Sequence, residues 1–102
     1  MPAETPFERQ IAQRLGEQLQ ARRRARGLSQ ENVAHAAGMS RNHYQLLEAG
    51  LSDRTKSTAA NPRLSTLISL AQVLDVSVTD LVVELFGPAA ERPADPSPTD
   101  GS

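Results

Sequence analysis

The chain has no cysteine and no tryptophan, only one tyrosine and two phenylalanines. Without cysteine there is no disulfide framework, no thiolate metal site and no thiol nucleophile, and nothing calls for an oxidising compartment. So few aromatics leave the interior to Leu, Val, Ile and Ala, which recur three and four apart as packed helices require. No apolar run approaches the ~20 residues of a membrane span, and the N-terminus lacks the basic-then-apolar order of a signal peptide. The expected location is therefore the cytoplasm, with no membrane partner. Also missing are a Gly-rich phosphate loop, a paired-acid or nucleophile-and-base arrangement, and a metal cluster. His35 and His43 stand eight residues apart, a spacing unsuited to two ligands on one helix face. No enzyme, cofactor or metal is expected.

A chain of 102 residues forms one domain at most. It buries roughly 60 to 70% of its unfolded surface, so the core must be small. The formal net charge is −1, yet the charges are sorted along the chain. From Arg14 to Arg63, nine Lys and Arg (14, 22, 23, 24, 26, 41, 54, 56, 63) stand against four acids (17, 31, 48, 53), a surplus of five. Such a surplus suits either a phosphate-binding surface or a solvated helix face.

"TPFE" offers Thr5 as an N-cap, Pro6 at the first helical position and Glu8 at the third, which together make a capping box. Phe7, Ile11, Leu15 and Leu19 repeat every four residues, and Gly27 follows the cations of "ARRRAR", so a first helix is predicted over 6–26. Ser29 caps "QENVAHAA", with Val33, Ala34 and Ala37 inward and Gly38 as its stop. Ser40 caps a third helix, Arg41 to Glu48, with Tyr44 and Leu47 inward and Gly50 ending it. "LSTLISLAQVLD" predicts a fourth helix with Leu64, Leu67, Ile68, Ala71 and Leu74 on one side, and "SVTDLVVELF" a fifth capped by Ser77. No strand signal is present. The expectation is an all-α, five-helix bundle over 6–86. Residues 87–102, "GPAAERPADPSPTDGS", hold four prolines and almost no apolar bulk, the composition of a disordered acidic tail.

Helices 2 and 3 are each about two turns long, with three or four residues around Gly38 between them. So short a joint sends the second helix off at a steep angle, and a small residue, Ala34, is needed where the axes meet. This segment, "GLSQENVAHAAGMSRNHYQLLEAG", resembles the helix-turn-helix of the phage repressor and Cro (XRE) family of DNA-binding proteins. "LGEQLQARRRARGLSQ" resembles that family's first helix and "NPRLSTLISLAQVLDVSVTDLV" its last two, so the resemblance covers about 70 of the 102 residues. The chain departs from the family in a longer loop, "LSDRTKSTAANPR", and in two added turns ahead of helix 1.

The resemblance implies a lambda repressor-like fold and double-stranded DNA as the partner. The first turn of helix 3 then enters the major groove, where Arg pairs with guanine and Asn with adenine. Arg41 and Asn42 are expected at base edges, and His43 at a base or a phosphate. Leu46, one turn past Asn42, is expected to be exposed on the same face, where a thymine methyl would cover it. Gln30 is expected to contact a phosphate and orient Arg41 or Asn42, and Ser40 to cap helix 3 and touch phosphate. In the long loop, Arg54, Lys56, Asn61 and Arg63 are expected along the DNA backbone, positioning the protein without reading sequence. Arg23 matches a family arginine that pairs with a glutamate closing helix 3, here Glu48, while Arg22, Arg24 and Arg26 are read as solvated, with phosphate contact as the alternative. Phe7, Val83 and Phe86 exceed what the core needs and point to a two-fold homodimer.

The function implied is a sequence-specific transcriptional regulator, most simply a dimeric repressor on a palindromic operator. It would act at the nucleoid of a prokaryote or in a phage, controlled by concentration, a protein partner or proteolysis. The family also holds antitoxins and restriction-modification controllers that regulate their own operons. From a different class, the alternative is a protein-interaction module that uses the same bundle without DNA.

Overall fold

In the computed structural model, which describes residues 5–53, 55, 56 and 58–86, five helices and one short ribbon surround a single apolar core. Helix starts follow from side chains that satisfy free N–H groups. α1 (Pro6–Ala25) begins on the capping box, the Glu8 amide donating to Thr5 Oγ1 and the Thr5 amide to Glu8 Oε1, both at 3.0 Å. It ends one residue before the predicted limit, where Gly27 turns left-handed at φ 68° and the Leu28 amide reaches back to the Arg23 carbonyl at 3.1 Å. In α2 (Gln30–Ala36) and α3 (Arg41–Glu48), Ser29 Oγ accepts from the Asn32 amide and Ser40 Oγ from the His43 amide, each at 3.0 Å. Between them Gly38 takes φ 76°, and the Met39 amide returns to the Ala34 carbonyl at 2.9 Å, closing the sharp corner.

The segment after α3 corrects the strand-free reading. β1 (Leu51–Asp53) and β2 (Thr58–Ala59) pair antiparallel, with a register irregularity between Leu51 and Asp53. Strands of three and two residues are too short to display an alternating pattern. Specific bonds hold the ribbon instead: the Ala60 amide donates to the Gly50 carbonyl at 2.9 Å, and the Ser52 and Thr58 hydroxyls meet at 2.6 Å. At the turn, the Lys56 amide donates to Asp53 Oδ1 at 3.0 Å. β1 packs on α3 and β2 on α1.

α4 (Leu64–Leu74) buries Leu70, Ala71 and Leu74, with Leu67 half-buried. Leu64 and Ile68, predicted inward, are 65% and 40% exposed. The helix meets the core only from Leu67 onward, so its first turn leaves apolar side chains in solvent. α5 (Val78–Phe86) starts on Ser77, whose Oγ accepts from the Asp80 amide at 2.9 Å, and buries Leu81 and Leu85 while packing on α1.

Leu19, Val33, Tyr44, Leu47, Leu70 and Leu81 are fully buried at the centre, each contributing on the order of 1.5–3 kcal/mol. α1 crosses the end of α3 at Gly16. A Cβ there would collide with the Glu48 carbonyl oxygen and lie 2.8 Å from that of Leu47, so only glycine admits this approach. α3 is thereby pressed against α1 backbone to backbone. Among the described residues no single helix is long and apolar enough to cross a membrane. The tail expected over 87–102 lies outside the described residues.

Candidate nucleic-acid interface

Burial of Tyr44 and Leu47 fixes which side of α3 faces out. At ~100° per residue, Asn42 and Leu46 then lie opposite the core, flanked by Arg41 and His43. Arg41, Asn42 and His43 are exposed, and their side chains make no hydrogen bond or ion pair among the described residues. Ser40, also exposed, uses its hydroxyl to cap the helix. Leu46 is half-buried, less open to solvent than its position on the outer face predicts.

The inner side of α3 is held by a polar chain. Arg23 grips Glu48 through Nε to Oε2 at 2.6 Å and Nη2 to Oε1 at 3.2 Å, and Nη1 donates to the Leu28 carbonyl at 2.9 Å. Their side chains are only 12% and 3% exposed. Hydrogen bonding to Glu48 raises the Arg23 pKa further, against the opposing effect of burial. Burial pushes the Glu48 carboxyl up, but the bonds from Arg23 and Gln30 and the guanidinium charge outweigh it, and the carboxyl is held below its ordinary range. Burial also raises the Tyr44 hydroxyl well above its ordinary value. The Glu48 carboxylate beside it adds to the rise, although among the described residues no partner meets that hydroxyl in hydrogen-bond geometry.

Gln30 extends the chain to the surface. Its Nε2 donates to Glu48 Oε1 at 2.9 Å, and its Oε1 accepts from Gln45 Nε2 at 3.1 Å. The side chain expected to orient Arg41 or Asn42 is bonded to Gln45 instead. Nothing local to "NHYQLL" marks Gln45, because its partners lie on α2 and, through Gln30, at the far end of α3.

Among the cations, Arg22 pairs with Glu84 at 2.9 Å and Arg26 with Asp75 at 3.6 Å, in place of the solvated state that the sequence predicts for both. They tie α1 to α5 and to the end of α4. Arg24 is exposed, as are Lys56 at the ribbon turn, Asn61, and Arg63 at the N-cap of α4. Arg54 lies outside the described residues.

The apolar ends of the bundle differ from expectation in one respect. The Phe7 and Phe86 rings face each other within the chain, centroids 6.1 Å apart and planes 36° apart. They border a cleft of about 440 Å³ whose walls include Ile11, Leu15, Pro62 and Leu67. Val83 remains 62% exposed.

Residues 14–85, well over half of the chain, match the family model described as a helix-turn-helix domain. No curated protein matches the sequence.

Proposed function

Because the chain belongs to the helix-turn-helix domain family, we propose that it is a sequence-specific, double-stranded DNA-binding transcriptional regulator. In this reading it is a homodimeric repressor of a palindromic operator, working in the cytoplasm through residues 6–86. The observation that carries the reading is the first turn of α3. Three side chains able to bond base edges, Arg41, Asn42 and His43, stand exposed and, among the described residues, unbonded on a helix fixed from behind by Arg23–Glu48 and Gly16. Leu46 supplies an apolar contact for a thymine methyl beside them. Ser40, Asn61, Arg63, Lys56 and Arg54 contact phosphates and set the register, while the Gln30 side chain is engaged by Glu48 and Gln45.

Val83, exposed on α5 one turn before Phe86, supplies apolar surface for a two-fold contact, with Phe86 and its ring partner Phe7 at the same end of that helix. A dimer through this end would set two recognition helices about one DNA turn, ~34 Å, apart. The test is selection from random-sequence DNA with the full chain, followed by affinity measured against salt. A palindromic motif should emerge, with log affinity falling by about 0.9 per phosphate contact for each log unit of salt. Failure to enrich any motif, together with salt-insensitive behaviour, would favour the protein-interaction module.

A further inference from the structure

An isolated glutamine can turn either end of its amide outward, since the oxygen and nitrogen are nearly interchangeable in shape. Gln45 does not have that freedom. An ionised carboxylate only accepts hydrogen bonds. Glu48 Oε1 is shared by Arg23 Nη2 at 3.2 Å and Gln30 Nε2 at 2.9 Å, so the Gln30 nitrogen must face inward. That leaves Gln30 Oε1 pointing to Gln45 as an acceptor, and the group meeting it at 3.1 Å must be the Gln45 nitrogen. Polarity thus passes from a carboxylate 3% exposed, through two amides, to the outer side of α3. The atom left over is Gln45 Oε1.

Gln45 is half-buried and lies one helical turn from Arg41, so it shares Arg41's stripe on the α2 side of the exposed face. In the major groove adenine presents an N6 amine and cytosine an N4 amine, whereas guanine and thymine present carbonyl oxygens at the corresponding edge. A fixed acceptor bonds the first two and meets the others oxygen to oxygen. Resting on the reading of α3 as the helix that enters the groove, we infer that Gln45 reads one base, holding its amide carbonyl as the acceptor for the exocyclic amine of an adenine or a cytosine. Gln30 and Glu48 act here as positioning residues: they set which end of the Gln45 amide faces the DNA.

The experiment is random-sequence selection with the full chain and with its Gln45→Ala and Gln30→Met variants. With the parent, one motif position should require adenine or cytosine. Gln45→Ala should level that position alone and leave the rest of the motif unchanged. Replacing the selected base by its amine-free analogue, purine for adenine or 2-pyrimidinone for cytosine, should weaken the parent about tenfold or more and leave Gln45→Ala unaffected. Gln30→Met frees the Gln45 amide to turn over, so guanine or thymine should enter that position, an effect that a merely structural loss would not produce. A Gln45→Ala motif identical to the parent's overturns the inference while leaving the regulator reading intact, and so does a levelled position that held guanine or thymine. If the parent itself selects no motif, both readings fall.

Discussion

Replacing Glu48 by alanine leaves an arginine only 12% exposed without its carboxylate, with the Leu28 carbonyl as its remaining acceptor. The Gln30 amide loses its acceptor in the same step. Removing one partner of a buried, hydrogen-bonded pair costs about 3–5 kcal/mol, because the survivor stays buried and unpaired. A half-exposed pair such as Arg22–Glu84 contributes ~0–1 kcal/mol by comparison. A domain of roughly 80 residues has a total stability of about 4–12 kcal/mol, so the substitution removes a quarter of it at the least. At ~4–8 °C per kcal/mol, the melting midpoint should fall by roughly 12–40 °C. Thermal melting followed by far-ultraviolet circular dichroism measures this directly, with Glu48→Gln, which keeps the shape and one acceptor, falling between the alanine variant and the parent. A Glu48→Ala midpoint within ~5 °C of the parent would refute the claim that this pair fixes α1 to α3.

Acid should reproduce part of that loss. The Glu48 carboxyl is held below its ordinary value, so its contribution is complete above the unfolded value of about 4.3 and disappears as pH falls through the folded one. Stability measured against pH should therefore drop more steeply below about pH 4.3 in the parent than in Glu48→Gln. Gly16→Ala forces a methyl against the Glu48 carbonyl and should cost at least ~1–3 kcal/mol in denaturant titration. Asn42→Ala should relax preference at one base position for about 1–3 kcal/mol, whereas Arg63→Ala should weaken all sequences alike and lower the salt slope by about 1, both read by competition binding. Val83→Asp places a charge on the exposed α5 surface and should shift sedimentation toward the monomer without lowering the melting midpoint.

What could be read from the sequence was local. Thr5, Ser29, Ser40 and Ser77 announce their helices because a cap acts on amides two or three residues away, and Gly27, Gly38 and Gly50 mark stops through the positive φ they all adopt. The candidate reading residues followed from the corner at Gly38 and from resemblance. The ribbon was not legible, since five strand residues carry no periodicity and the pairing depends on where Gly50 and Ala60 are held. The inward face of α4 was misjudged at Leu64 and Ile68 because a 3.6-residue stripe states which residues align and not how far along the helix the core extends. Phe7 and Phe86 sit at opposite ends of the domain's sequence, so their contact depends on α1 and α5 lying side by side. Gln45 required three side chains from two helices to be seen together.

Arg41, Asn42 and His43 hold no part of the scaffold in place. The cap that starts their helix belongs to Ser40, and Tyr44, Leu47 and Glu48 anchor it from the far side. On the proposed reading, exchanging any of the three would alter what the protein addresses without altering whether the helix forms. Descendants of such a regulator would then drift from one genomic target to another by single, reversible steps that require no compensating repair. Gln45 stands apart from this freedom: if it reads a base, the end of its amide that faces the duplex is set by Gln30, so exchanging an amine-bearing letter for a carbonyl-bearing one takes a change at that neighbour.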